Sequence, residues 1–560
     1  MVHLAIGAVA LASSALLAVA GPVKRSSSTA VTAAPSASVG VSASDVYPPS
    51  GTAPDSALFP DESAVGYPGP TPTGIEPFAI QTAASFPTHQ GIYPLVVPAS
   101  LADKSSVDIS KYWGNLSPQY SVPSSTYGLD AASPLLPDQC DIVQAHIYFR
   151  HGARYPTTGA PPSTFASKVV NASLADGGFK AEGPLAFLNE WKYPLGAELL
   201  TPFGRLQDFT LGVAARQSYG ALLNNFTDSG TLPVFRTQSE DRMVKTMVNF
   251  ASGFFGVPEY LDQVNIELEI EAPGFNASGA PYYACPNGNA AQGSLGSAAA
   301  ANFSKPYYEA TAARLNKYLS GNLQLVATDI NAMLQLCSYE TVALGSSKFC
   351  PIFEKKDFLV YEQAYDIAFA GNNGFASPVA AAQGKGYLEE LIARLNHTLI
   401  NKWDSATNST LDGNETTFPL NQSIYADAAH EVSILDALTA LNLTALTRGG
   451  PPPTSHLSTS HTFVASRIVP FATHLQIQVL ECAPSKPTKQ IRFIVNDAVV
   501  PLEGSFEGCG ADPNGLCAFE TVLAGLIKRN DEIDFHYACH GNYSVPDYGS
   551  ITDGLPPKRA

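Results

Sequence analysis

The heptapeptide Arg150-His151-Gly152-Ala153-Arg154-Tyr155-Pro156 sets two guanidinium groups on either side of one imidazole. Guanidinium forks match phosphate oxygens in bidentate geometry and stay charged at any relevant pH. A neutral imidazole nitrogen between them is a suitable nucleophile for phosphorus. The arginines would hold the phosphate and neutralise the charge spread over its equatorial oxygens during transfer. Gly152 would let the main chain approach a ligand closely. A generic Arg-His pair reads more simply as a solvated loop. The full R-H-G-x-R-x-P string is too specific for that reading.

Such residues need rigid elements to hold them. Asp141 to Phe149 (DIVQAHIYF) is β-branched and aromatic enough for a buried strand, and it runs straight into Arg150-His151-Gly152. Thr201 can cap a helix with Pro202 at its first position, with Leu206, Phe209, Leu211 and Val213 on the apolar side. Leu232 to Phe235 predicts a short strand delivering Arg236 at its end, followed by a helix through Met243, Met247 and Phe250. Ile424-Tyr425-Ala426 predicts another short strand. His430 and Glu431 then open a helix whose apolar stripe is Ile434, Leu435, Leu438 and Leu441. Strand ends that open onto helix N-termini are what an open α/β sheet offers an anionic ligand. Asp427 and Asp436, close by, read as a cap and a solvated-face residue.

These motifs resemble those of the histidine acid phosphatases, especially their secreted phytase-like branch. The resemblance extends to Leu200-Thr201-Pro202-Phe203-Gly204, to Val234 through Arg242 (VFRTQSEDR), to Phe349-Cys350-Pro351-Ile352-Phe353 and to Gln383-Gly384-Lys385-Gly386-Tyr387 through Leu395. Val495-Asn496-Asp497 and Val500-Pro501-Leu502 continue it, so that it spans about residues 85 to 545. It implies a covalent phosphohistidine at His151, with Arg150, Arg154 and Arg236 clamping the phosphoryl group and His430 donating a further hydrogen bond. The leaving oxygen needs a proton. In most of the family an Asp directly after the second His supplies it. Here that position is Glu431, one methylene longer. The resemblance also implies the disulfides Cys140–Cys482, Cys285–Cys539, Cys337–Cys350 and Cys509–Cys517, where the sequence alone leaves every pairing of the eight cysteines open.

The expected fold is α/β: a central mixed sheet flanked by helices, phosphoglycerate mutase-like on the resemblance, with a smaller α-helical domain inserted at about 250–419. Residues 1–20 read as a signal peptide, from the apolar run Leu4 to Ala20 and the A-x-A-like Ala18-Val19-Ala20. Residues 21–82, rich in Ser, Ala, Thr, Pro and Gly, read as a disordered or O-glycosylated arm, with a dibasic Lys24-Arg25 near its start. The phosphatase domain is expected at 83–545 and a C-terminal tail at 546–560. An even number of cysteines without a C-x-x-C pair, and N-x-[ST] sites from Asn115 to Asn542, suit a secreted glycoprotein, extracellular or held at a cell wall.

The 560 residues carry a formal charge of −17, and only 14% are charged. That balance is poor for a general nucleic-acid binder. The expected partners are small phosphate monoesters, with no nucleic acid and no membrane after signal cleavage. No cofactor is expected. A metal site is disfavoured, because the H-x-x-x-H of His536 and His540 flanks Cys539 and has no third ligand nearby in sequence. A serine hydrolase would need a G-x-S-x-G elbow, which the chain lacks. A mutase with the same nucleophile fits export badly. A binding protein of the same fold that lost turnover through Glu431 is the rival of a different class. Phytases of the family ring their pocket with lysines. Thr157 to Phe165 and Tyr365 to Gly374 contain none, and Lys168, Lys180, Lys192 and Lys385 cannot be placed from sequence. The expectation is therefore a broad acid phosphatase, with phytase as runner-up.

Overall fold

A β-branched and aromatic run forms the central strand, β1, Cys140–Arg150, and everything from Ala145 to Arg150 is buried. The computed structural model describes residues 102–103, 107–483 and 485–559. The leader, the Lys24-Arg25 site and the Ser/Ala/Pro-rich arm expected from the sequence lie outside the described residues.

Seven further strands complete the main sheet: β2 (Val234–Gln238), β3 (Asn265–Glu269), β4 (Ile424–Ala429), β5 (His474–Cys482), β6 (Lys489–Val495), β7 (Ala498–Val500) and β8 (Cys517–Ala518). The order is β8-β6-β5-β1-β4-β2-β3, with β7 paired to β6. Strands β1, β4, β2 and β3 run parallel; β5 and β6 lie antiparallel beyond β1. The sheet is mixed, as expected. Cys140 faces Cys482 directly across the β1–β5 ladder, and the two form a disulfide. The other bonds join Cys285 to Cys539, Cys337 to Cys350 and Cys509 to Cys517.

Alternation along β1 sends its side chains into two cores. Ala145, Ile147 and Phe149 pack with Leu211, Met243, Met247 and Phe250, which belong to helices α2 (Pro202–Tyr219) and α3 (Asp241–Phe255). On the other face Tyr148 stacks on Tyr387 at 3.9 Å between ring centroids. It joins a core with Leu388, Ile434 and Leu438, from helices α7 (Ala380–Asn396) and α8 (Glu431–Ala440). A second layer is built from α1 (Pro161–Leu174), α4 (Leu295–Leu315), α5 (Ala327–Leu344) and α6 (Lys355–Asn372) around Phe165, Phe303, Met333 and Phe358. This helical layer is narrower than the 250–419 span read from the sequence. Phe250, β3 and α7 belong to the sheet, because each packs or pairs there, and α1 joins the helices from outside that span. The C-terminal residues are not a free tail: Ile551 is buried, Leu555 packs on the sheet core, and the Gly554 N–H donates to the Phe375 carbonyl.

Two glycines fix how the strand end meets α2. A Cβ built on Gly152 would lie 2.1 Å from the Gly204 carbonyl oxygen, and one on Gly204 would lie 2.0 Å from the Ala153 oxygen. The R-H-G and L-T-x-x-G strings are therefore two halves of one main-chain contact. Thr201 caps α2 by accepting from the Gly204 N–H and also donates to the Ala153 carbonyl. Gly152 thus makes room for a helix rather than for a ligand.

Gly204→Ala would ordinarily favour a helix by about 1 kcal/mol. Here it is expected to cost about 3 kcal/mol through overpacking against the Ala153 carbonyl. Thermal unfolding reads the sign; an unchanged or raised Tm would contradict the interlock.

Candidate active site

The sheet register brings the two histidines together. Arg150 and Ala429 are the last paired residues of parallel strands β1 and β4, and the His151 N–H donates to the Ala429 carbonyl. His151 and His430 therefore leave adjacent strand ends side by side, with ring centroids 5.8 Å apart. Both are buried.

The tautomer of His151 follows from its surroundings. Its Nδ1 lies 2.8 Å from the Gly152 carbonyl, which can only accept, so Nδ1 carries the proton. Nε2 is left with its lone pair, buried and without a hydrogen-bond partner among the described residues. Burial pushes the imidazole well below its ordinary pKa. The neighbouring Arg150 charge adds to this, and Glu431 works against it. The ring is therefore neutral in mildly acidic solution, as a nucleophile must be.

Arg150 is fully buried. Its guanidinium lies 4.5 Å over the Phe471 ring, and Nη1 donates to the carbonyls of Asn115 and Val469. Burial lowers it to about 10; Glu431 opposes that shift, and the nearby charges of Arg154 and Arg242 reinforce it. Arg242 lies in the first turn of α3, just past the end of β2. Its guanidinium meets Glu198 at 3.3 Å and Glu240 at 2.5 Å. Arg150 Nη2, Arg154 Nε and Arg242 Nε are buried donors without a hydrogen-bond partner among the described residues. Three mutually repelling cations with unused donors form an anion site.

Arg236 is elsewhere. It sits inside β2, opposite Glu267 of β3 and Asp427 of β4. Its guanidinium is held by four carboxylates: Glu267 at 2.6 Å, Asp412 at 2.7 Å, Glu269 at 3.1 Å and Glu390 at 3.2 Å. Burial would lower it, but those charges hold it well above its ordinary value. The structure does not bring Arg236 to His151; its charge is already more than balanced. The VFRTQSEDR segment carries two arginines, and the one beyond the strand end is the one beside Arg150. The rule that ligands meet the carboxyl ends of parallel strands would have selected Arg242.

Glu431, first residue of α8, reaches into the cage. One carboxylate oxygen lies 3.0 Å from Arg150 Nε and 3.6 Å from His151 Nε2, and the other accepts from Asn115 Nδ2 at 3.1 Å. Burial would raise this carboxyl, but Arg150, the His151 contact and Arg154 outweigh it and hold the group well below its ordinary value. Asn115 is thus a site residue that the sequence showed only as a glycosylation motif. It is buried with its amide on Glu431, which leaves it no access for a glycan. His430 Nε2 pairs with Glu271 at 3.0 Å, and Glu271 also accepts from the Tyr282 hydroxyl. That leaves His430 Nδ1 as the nitrogen able to meet a ligand.

Among the described residues, one group could hold a metal: Glu240, Glu271 and His430, whose ligand atoms lie within 4.8 Å of one another. Arg242 already supplies a cation to Glu240, and Tyr282 and His430 engage Glu271. The rings of His536 and His540 lie 5.4 Å apart on a six-residue helix whose Cys539 is disulfide-bonded.

The chain is similar to known proteins in sequence and in fold. A model of the histidine phosphatase superfamily, branch 2, matches residues 141–496. The chain belongs to that family. Phytase A of Aspergillus oryzae is 32% identical over 436 residues, covering 75% of this chain and 88% of the relative. Phytase A of Aspergillus fumigatus is 32% identical over 457 residues, covering 77% and 92%. In fold, the chain is similar to the crystal structure of the phytase from D. castellii, with a TM-score of 0.62 at 23% identity, covering 80% of this chain and 92% of that one. As a member of the family, the chain is a phosphoric monoester hydrolase.

Exchanging each arginine separates the two roles. Arg242→Ala is expected to stay folded and lose about 10²–10³ in kcat, the range for removing one charge-stabilising donor. Arg236→Ala strands four buried carboxylates and is expected to cost about 3–5 kcal/mol of stability. Circular dichroism melts alongside phosphatase assays check both; the reverse pattern would return Arg236 to the site.

Proposed function

We propose that this histidine phosphatase is an acid phosphatase working through a phosphohistidine on His151. The observation that carries the reading is the lone pair of His151 Nε2, buried among unused arginine donors with a Glu431 oxygen 3.6 Å away. That oxygen lies close to where an oxygen of a bound phosphoryl group would sit. An incoming phosphate displaces it from Arg150, and the added negative charge raises the Glu431 carboxyl until it takes up a proton.

Arg150, Arg154 and Arg242 hold the phosphoryl oxygens, and His430 donates one more hydrogen bond. Nε2 attacks phosphorus, the bond from phosphorus to the ester oxygen breaks, and that oxygen takes the proton of Glu431. Water then attacks phosphorus, its proton returns to Glu431, and the N–P bond breaks to release inorganic phosphate. Glu431 keeps the role of the usual Asp despite its extra methylene, because Asn115 and Arg150 hold its carboxylate at the nucleophile.

The Phytase A relatives favour phytate as a second substrate. The lysines argue for simpler monoesters. Lys168 is paired with Asp329, Lys180 with Glu182 on the surface, and Lys192 is exposed. Lys385 is buried on α7 against the Ile533 carbonyl. All eight cysteines are paired, and no helix among the described residues is long and apolar enough to cross a membrane. The four closed disulfides support export from the cell, where an oxidising milieu keeps such bonds closed.

Glu431→Gln is expected to slow alkyl phosphates by about 10²–10⁴ and 4-nitrophenyl phosphate far less, since nitrophenolate leaves without a proton. Equal losses would contradict the donor role. The acid limb of kcat/KM lies below the ordinary histidine range, because His151 stays neutral there. Glu431 raises the His151 pKa, so in Glu431→Gln the limb moves to lower pH; a shift upward would contradict the coupling. EDTA is expected to leave turnover unchanged, and its loss would favour a metal.

A further inference from the structure

A groove of about 480 Å³ opens between α4, α5 and α6. Its walls mix alanine and tyrosine, among them Ala300, Ala364, Tyr365 and Ala368, with uncharged polar side chains such as Asn331 and Gln335. Lys305 is the one charged residue among its described lining residues. The size is that of a small-molecule site and far exceeds a phosphate.

Tyr365 is the lining residue that lies between the groove and the catalytic centre, packing on Gly114 and feeling the charge of Glu431. The Tyr365 ring packs where a Cβ on Gly114 would stand, at 2.4 Å from its Cγ, and Gly114 precedes the Asn115 that binds Glu431. The Tyr365 hydroxyl accepts from Gln335 Nε2, also in the lining. One turn beyond Gln335 on α5, Tyr339 is buried near Arg154, Arg150 and Glu431 and feels their charges. A leaving group attached to a phosphoryl group at His151 would pass Glu431 and meet this wall. A polyphosphorylated ring would enter a channel with almost no positive charge, leaving its anions desolvated and unpaired.

We propose that this groove receives the uncharged aromatic leaving group of the substrate, so that the enzyme selects bulky aryl monoesters over polyphosphorylated ones. The proposal rests on the phosphohistidine reading above and names the substrate class of that same site. Tyr308, Tyr365 and the alanines give the groove apolar lining that an aromatic group can bury.

The test compares kcat/KM for phenyl phosphate and 4-phenylphenyl phosphate, whose phenols leave with similar ease but differ in reach. The wild-type chain is expected to favour the larger ester by at least about tenfold, the discrimination an apolar pocket commonly supplies. Ala364→Asp and Ala368→Lys, made separately, are expected to bring that ratio close to one. The ratio does not depend on the folded fraction of a preparation, so a destabilised variant still reports. A wild-type ratio near one, a ratio unmoved by both variants, or a kcat/KM for phytate above that for 4-phenylphenyl phosphate would overturn the groove assignment alone. Absence of turnover on either ester, or turnover persisting in His151→Ala, would instead overturn the phosphohistidine reading and the groove with it.

Discussion

The burial of like charge at the shared end of β1 and β4 is the constraint on which the rest of the structure depends. Arg150, Arg154 and Arg242 repel one another in a place where water cannot screen them, and burial lowers Arg150 to about 10. Such a cluster persists only if rigid elements hold it and anions balance it. The strand register, the Gly152–Gly204 interlock and the α3 N-terminus supply the rigidity. Glu431, Glu240 and Glu198 supply the charge. Of these, Glu431 lies against the nucleophile itself, so a phosphate can take over its contact with Arg150. In the proposed mechanism the resting balance and the proton donor are thus one side chain.

A second buried ion network shows what a purely structural cluster looks like. Arg236 has four carboxylates, and the neighbouring Arg394 pairs with Asp427 through both nitrogens of its fork. There five carboxylates face two cations. At the candidate active site three carboxylates, Glu431, Glu240 and Glu198, stand against the three guanidinium groups of Arg150, Arg154 and Arg242. That difference in charge balance, more than the presence of arginine, marks the functional cluster.

Much of this could be read from sequence, and the failures have physical causes. The apolar run before Arg150 and the capped helix from Thr201 are local patterns, and both form as expected. The R-H-G-x-R string and His430-Glu431 were legible because each lies directly past a strand whose composition is plain. Arg242 was missed because two arginines six residues apart share one segment, and only the strand's true end decides between them. Asn115 was hidden within a glycosylation motif, since its value depends on Glu431, 316 residues away. Gly152 was assigned to ligand approach; its reason is a helix that the sequence places far downstream. β3, with its acidic NIELE sequence, was not foreseen, because its glutamates are buried only by pairing with Arg236.

The most direct measurement of the central claim is to trap the covalent intermediate. Turnover of a ³²P-labelled monoester would be quenched in alkaline denaturant, where a phosphohistidine survives, and the labelled peptide mapped. The account predicts label on His151 alone, released by mild acid and missing from His151→Ala. A protein without label under conditions of rapid turnover, or label on another side chain, would contradict it.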